Sequence, residues 1–312
     1  MFHKLKGSTL LLWLLLQLTT VASQATPLAH TGNEAPARQE ESVPQLAHSA
    51  NGLTQFTIIM MLVAPVICLT VQPATSAVSA MRTPRPRARV FYASISIAMI
   101  LTVLFGFARS YFLRGVYIHR PLSLVLQAHG LANTAWMALF FTQTVLIAKH
   151  NVRLHRKLGY FGAALAALML ILGSATVVDF AHRHAAGGNE ILSFLTVPFF
   201  DLLLFGSLVA AAIIYRRNPE MHKRLMFIAT LNLLGAAIER WPVPINGGIT
   251  YNQRCVIQDC FLLAGIIYDL IRRKRVHPAY IWAGAAFVIS QPLRMMIGQT
   301  NFWVHLTSGL IR

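Results

Sequence analysis

Charged residues are scarce in this chain, and acidic residues are the scarcest of them. Asp, Glu, Lys and Arg make up 12% of its 312 residues, whereas soluble domains usually contain about 25%. Only 10 residues are acidic against 27 Lys and Arg, which gives a formal net charge of +17. With 55% hydrophobic residues and a mean hydropathy of +0.56, the composition argues against a soluble protein and predicts an integral membrane protein.

Cysteine is also rare, and its three positions exclude the usual cysteine-based sites. Cys255 and Cys260 are five residues apart on one predicted helix, an unfavourable spacing for a disulfide. No CxxC motif and no zinc-binding Cys/His spacing occurs. The chain also contains no nucleic-acid-binding module, so we do not interpret its positive charge as an interface for nucleic acid.

The first 72 residues divide into three predicted segments. Residues 1–23 combine a basic start, a short apolar run and small residues, which is typical of a signal peptide, with an uncleaved signal anchor as the alternative. Residues 24–52 are polar and without hydrophobic periodicity, and predict a disordered periplasmic linker. Residues 53–72 are long and apolar enough to form an additional transmembrane helix.

Seven further apolar runs follow in residues 82–312, and each is near the roughly 20 residues that a bilayer requires. Runs of this length predict helices rather than a barrel, so the fold class is an all-α integral membrane bundle of seven helices. The predicted spans, labelled A to G, cover about 90–113, 122–148, 158–179, 191–215, 223–241, 253–271 and 279–298. Span C is rich in Gly and Ala, which predicts a tightly packed central helix.

The basic residues indicate the orientation of these spans. Four Lys or Arg precede span A, and four more lie in each of the connections B–C, D–E and F–G, so that sixteen of the 27 fall at every second loop. The positive-inside rule places these loops in the cytoplasm and the C-terminus in the periplasm.

Once the spans are oriented, their ionisable residues form a layer toward the outer face of the membrane. Charged residues that face lipid would cost several kcal/mol, so these side chains are expected to face the bundle interior. Helical spacing groups further polar residues with them on spans B and G. The sequence thus predicts a periplasm-facing pocket lined by Arg109, His129, Asn133, Trp136, Asp201, Glu239, Asp259, Gln291 and Arg294. The alternative interpretation is a network of ion pairs that only fixes helix register.

Metal and haem sites have weaker support in the sequence. His155, His222 and His277 open spans C, E and G on the predicted inner side, where three histidines could hold zinc. Neighbouring Lys and Arg would repel a cation, so we favour interfacial roles for them. A haem held by two histidines needs a facing intramembrane pair, and only His129 lies well inside a span. We therefore expect no cofactor, with zinc and haem as the alternatives.

Several motifs resemble a group of bacterial multi-pass membrane proteins of about seven helices to which no activity is assigned. The likeness covers residues 88–312, implies the fold and a location in the inner membrane, and implies no chemistry. The motifs are Gly106-Phe107-Ala108-Arg109, His129-Gly130 with Trp136 and Gln143, Leu154-His155-Arg156-Lys157-Leu158-Gly159, His222-Lys223-Arg224-Leu225, Arg275-Val276-His277-Pro278-Ala279 and Ser290-Gln291-Pro292-Leu293-Arg294.

The sequence therefore predicts a protein that binds or transports a small polar or anionic molecule, or protons, through a pocket in the bundle. One alternative is a metal- or haem-dependent membrane enzyme, and another is a structural or assembly protein. Apart from the surrounding lipid, the residues identify no partner and no oligomeric state.

Overall fold

A computed structural model describes residues 86–118, 121–242 and 248–308. The predicted signal peptide at 1–23, linker at 24–52 and span at 53–72 lie outside these residues. The described part of the chain is helical throughout, without a β-strand. Its α-helices are α1 Pro86–Phe107, α2 Arg114–Tyr117, α3 Leu124–Ala148, α4 Val152–Arg183, α5 Gly188–Phe194, α6 Thr196–Ile214, α7 Pro219–Asn232, α8 Gly235–Ile238, α9 Tyr251–Arg273, α10 Ala285–Gly298 and α11 Asn301–Thr307.

Several helices begin where a polar side chain satisfies the first free backbone N–H groups. Ser123, Asn151 and Asn218 accept such bonds at the starts of α3, α4 and α7. At α9, Thr250 and Gln253 form a capping box. Caps of this kind each stabilise a helix by about 1 kcal/mol and fix its first residue.

Helices occupy all seven predicted spans, and four stretches are long and apolar enough to cross a membrane. These are Val90–Phe112, Leu124–Ala148, Val152–Arg183 and Gly188–Arg217. Each has a mean hydropathy of 1.4 or more over its best window, so the prediction of an all-helical fold is confirmed, and four of the helices are compatible with a membrane protein.

The last three predicted spans are less regular. α7 is 14 residues long and ends before a turn at Leu233 and Leu234. α10 is also 14 residues long and follows a π-helical turn at Tyr280–Gly284. α9 has sufficient length but carries charges along its course, among them Arg254, Asp259 and Asp269. The seven-span arrangement therefore stays a prediction.

The centre of the bundle is formed by α7 and α9 rather than by α4. Eight of the 14 residues of α7 and 13 of the 23 residues of α9 are buried, against six of the 32 residues of α4. The prediction of a central span C is wrong, because its small residues serve local packing. A Cβ on Gly162 would meet Leu139, and one on Gly173 would meet Leu202, while Gly159 faces open space.

Short connections alternate the helix directions and give the bundle two ends. At one end of the bundle, which we name the Arg294 end, α3 and α9 begin and α4 and α10 end. At the opposite end, which we name the Arg224 end, α4 and α7 begin and α3, α6 and α9 end. Side-chain contacts agree with this order, since Ser123 of the α3 cap bonds Asp179 near the finish of α4.

Candidate functional site

Arg294 is the centre of a buried polar cluster at the Arg294 end. Its side chain lies on α10 and the residue is 1% exposed. Nη1 donates to Oδ1 of Asp201 on α6 at 2.5 Å. Nη2 donates to Oδ1 of Asn232 on α7 at 3.3 Å and to the hydroxyl of Ser290 at 3.2 Å. One guanidinium thus joins three helices, and it brings together two of the predicted site residues.

Asp259 and Gln291 form a second buried pair one turn away, between α9 and α10. Gln291 Nε2 donates to Asp259 Oδ1 at 2.9 Å, and the residues are 2% and 3% exposed respectively. Asp259 Oδ2 and Gln291 Oε1 have no hydrogen-bond partner among the described residues. Buried polar atoms are rarely left unpaired in proteins, so these two oxygens are candidate contacts for a bound molecule or water.

Glu239 is paired with an arginine that the sequence analysis did not select. Arg254 Nη1 donates to Glu239 Oε1 at 2.9 Å, and Arg254 is 1% exposed. Its guanidinium lies 4.7 Å from the ring centroid of Tyr251. Gly235 permits this position, since a Cβ there would lie 2.9 Å from the guanidinium carbon. The sequence signal that could have identified Arg254 is its position one helical turn before Gln258, on a helix that also carries Asp259.

A cavity of about 340 Å³ opens between α9 and α10 beside these pairs. The two helices follow each other in the chain but make few mutual contacts, which leaves the space between them. Gln291 is the predicted site residue that lines it. The lining contains no charged side chain and consists of Tyr251, Asn252, Cys255, Gln291, Pro292, Met295, Met296 and Gln299.

The remaining predicted pocket residues have partners elsewhere. Arg109 is exposed in the π-helical turn after α1, with its guanidinium 5.1 Å from the ring centroid of Tyr117. His129 bonds within α3, where Asn133 Nδ2 lies 3.2 Å from its Nε2. Trp136 is buried and donates to the Thr230 hydroxyl at 3.3 Å. The contacts described for these side chains do not include Asp201, Asp259, Gln291 or Arg294.

The three histidines proposed as weak zinc ligands all lie at the Arg224 end. The rings of His155 and His222 are 6.3 Å apart between centroids, and His222 Nδ1 lies 2.8 Å from the Ala212 carbonyl oxygen. His277 Nδ1 accepts from the backbone N–H of Ala279 at 3.1 Å. In residues 86–118, 121–242 and 248–308 no group of three His, Cys, Asp or Glu is placed to hold a metal ion.

The hydrogen bond to His277 predicts a pH-dependent stability. Burial and the nearby cations Arg224 and Arg273 lower the pKa of His277 from 6.5 to about 4. A lowered folded-state pKa means that stability is complete above pH 6.5 and is lost as the pH falls toward 4. We expect the melting temperature to fall over this window. His277→Asn, which keeps an acceptor without titrating, should weaken the dependence, and an unchanged pH profile would contradict the assignment.

A buried ion pair at the Arg224 end is a second feature that sequence reasoning missed. Arg224 is one of the four basic residues of the D–E connection, yet it is 1% exposed. Its Nε and Nη2 donate to the two carboxylate oxygens of Asp269 at 2.8 and 2.5 Å. Nη1 also donates to Glu220 at 2.8 Å. Every polar side-chain atom of Arg224 and Asp269 has a hydrogen-bond partner, which is typical of a structural ion pair.

Glu220 is the second carboxylate that bonds Arg224, and its side chain is partly exposed. Burial opposes its ionisation, but hydrogen bonds from Lys223 and Arg224 outweigh that effect and lower its pKa to about 2. Glu220 therefore stays ionised near neutral pH and balances part of the positive charge at this end.

Family models, curated proteins and solved structures were compared with the chain, and none of them matches. The chemistry of the Arg294 end therefore rests on its own residues. They offer a cavity with uncharged walls beside the buried Gln291 amide, and charged pairs that hold the surrounding helices. Such a site can bind and orient a small molecule.

Proposed function

We propose that this protein is a bacterial inner-membrane protein that binds or transports a small polar molecule at the cavity between α9 and α10. The proposal includes a bundle of seven spans, preceded by a signal peptide and an additional N-terminal span. It also includes an orientation, in which the Arg294 end faces the periplasm. Its support is the concentration of Lys and Arg in the connections at the Arg224 end, which the positive-inside rule assigns to the cytoplasm.

The proposal is carried by one observation on Gln291. This side chain lines the cavity, is 2% exposed, and has an amide oxygen without a partner in the described part of the chain. Leaving a buried acceptor unpaired costs about 1–3 kcal/mol. The cavity therefore lies beside an unsatisfied amide, which supports a ligand that can form hydrogen bonds.

Other residues of the cluster would hold the site in shape. Asp259 accepts a hydrogen bond from the Gln291 amide, and Tyr251 donates to the Gln291 backbone carbonyl at 2.9 Å. Arg294 ties α10 to α6 and α7 one turn further along. Helices bound together in this way keep a binding site preorganised, which lowers the entropic cost of binding.

A purely structural role for the cluster is less well supported. A network that served packing alone would be expected to satisfy its own polar atoms. Instead, the cluster leaves five side-chain atoms without described partners, namely Arg254 Nε, Arg254 Nη2, Asp259 Oδ2, Gln291 Oε1 and Arg294 Nε.

Filling the cavity with a larger side chain tests the proposal. We expect Met295→Trp to block it, and Ile289→Trp, on the exposed side of the same helix, to leave it open. Native mass spectrometry of protein extracted from its own membranes should show a small non-protein adduct on the wild type and on Ile289→Trp. The adduct should be lost from Met295→Trp. Identical spectra for all three proteins would refute binding at this cavity.

A further inference from the structure

Asp259 differs from the other carboxyl groups of the buried cluster because it has no arginine partner. The residue is 3% exposed, and its described bond is to the neutral amide of Gln291. The other two carboxyl groups of the cluster each form an ion pair with an arginine. Removing a charged group from water is costly unless an opposite charge accompanies it. Within the described part of the chain, no ion pair supplies that charge to Asp259.

The ionisable groups around Asp259 do not include a cation that is free to balance it. Cys255 and Cys260 lie on the same helix, one turn before it and directly after it. Arg254 and Arg294 lie near Cys255, but both are engaged in their own ion pairs. Arg240 is exposed and donates to a backbone carbonyl. The buried cluster thus combines two arginines with three carboxyl groups, which leaves one negative charge when all of them are ionised.

The α9–α10 cavity lies beside this carboxyl group. Two lining residues border Asp259, since Cys255 is one helical turn away on α9 and Gln291 donates to it from α10. Asp259 is buried behind these side chains, so a ligand in the cavity does not touch the carboxylate. Charges interact across such a separation, because the interior of a bundle screens them far less than water does. Asp259 therefore attracts a positive charge placed in the cavity.

The walls of the cavity suit an organic cation. None of the lining residues is basic. The amides of Asn252 and Gln299 offer oxygen atoms, and the polarisable side chains of Met295 and Met296 are 42% and 68% exposed. Hard metal ions require several oxygen ligands, whereas an organic cation can place its alkyl groups against methionine. An anion would be repelled by Asp259, which disfavours the anionic ligand considered from the sequence.

We infer that the cavity binds a small organic monocation, whose charge balances Asp259 across the Gln291 side chain and whose apolar groups pack against Met295 and Met296. This inference rests on the proposed function and adds the charge and chemical class of the ligand. Asp259 acts on specificity through its charge, without contact to the ligand. A volume of about 340 Å³ limits the ligand to a small molecule.

Two probes of the same shape that differ in charge test the class. 4-(Hydroxymethyl)phenyltrimethylammonium is a permanent cation, and 4-tert-butylbenzyl alcohol has carbon in place of its nitrogen. Binding of each to the full chain in nanodiscs of zwitterionic lipid is measured by equilibrium dialysis, with empty nanodiscs subtracted. We expect the cation to bind about tenfold more tightly than the alcohol, because one charge interaction acts at a distance of several ångströms. Met295→Trp should abolish binding of both probes.

Variants connect this preference to Asp259. Asp259→Asn removes the charge and keeps an acceptor for Gln291, so it should bind both probes with similar affinity. Asp179→Asn, which removes a carboxylate paired with Arg183 at the same end, should keep the tenfold preference. If Asp259→Asn does not fold, the double variant Asp259→Leu/Gln291→Leu replaces it.

Two results would overturn the inference and leave the proposed function standing. One is equal binding of both probes to the wild type, blocked by Met295→Trp, since a proton would then neutralise Asp259. The other is a preference for the cation that Asp259→Asn retains in full. If Met295→Trp blocks no binding of the cation, the inference also fails, and the adduct on the wild-type protein then tests the proposed function separately.

Discussion

Arg224→Met should lower the free energy of unfolding by about 3–5 kcal/mol. Asp269 is fully buried, and Arg224 donates to both of its carboxylate oxygens. Without the guanidinium, the carboxylate would be buried with no cation to balance it. The loss should appear as a lower unfolding midpoint in detergent or in nanodiscs.

The double variant separates loss of the pair from loss of the side chain. Arg224→Met/Asp269→Leu removes both charges and should recover most of the stability, since apolar replacements of buried pairs are often neutral. Arg217→Met, at an exposed arginine of the same end, should change stability by no more than about 0.5 kcal/mol. A loss for Arg224→Met as small as that for Arg217→Met would contradict a stabilising role of the buried Arg224–Asp269 ion pair.

Arg294→Gln should lower the free energy of unfolding by about 2–3 kcal/mol. The substitution removes the bonds that join α10 to Asp201 and Asn232. The effect should be smaller than that of Arg224→Met, because the Asp201 side chain keeps 22% exposure and can be partly hydrated. Thermal unfolding of the purified protein, followed by circular dichroism, measures the change.

A companion variant tests the physical reason for this loss. Arg294→Gln/Asp201→Asn contains no unpaired charge and allows a neutral amide pair, so it should recover at least half of the lost stability. If the double variant were less stable than Arg294→Gln alone, the Asp201–Arg294 pair would not be the source of the effect.

Much of the Arg294 end was predictable from helical spacing and depth. Asp201, Asp259, Gln291 and Arg294 were selected because charged or polar side chains inside apolar runs face the bundle interior. The structure brings Arg294 to Asp201 and Gln291 to Asp259. The identity of these pairs could not be read from the sequence, since it depends on how far each helix is rotated and shifted against its neighbours.

The residues that were missed lie near helix ends. Arg224 and Arg254 are close to the starts of their predicted spans, where a cation usually extends to the membrane surface. Both are instead 1% exposed, because α7 and α9 are the central helices and the two guanidinium groups bond to Asp269 and Glu239. Arg109 shows the reverse case, since a π-helical turn leaves it exposed beside Tyr117.

The cavity itself had no signature in the sequence. Its volume arises from the separation of α9 and α10, which is set by packing against α6, α7 and α8. Its walls combine Tyr251, Asn252 and Cys255 from one helix with Gln291 and Met295 from the other. Hydropathy and periodicity describe each helix separately, so they selected Gln291 as a polar residue but could not indicate the space beside it.

The most direct test of the account is an experimental structure of the protein purified from its own membrane into lipid nanodiscs, at a resolution that shows side chains. The account predicts non-protein density between α9 and α10, in contact with Gln291 and Met295. Closure of α9 on α10, with no space left for a ligand beside Gln291, would contradict it.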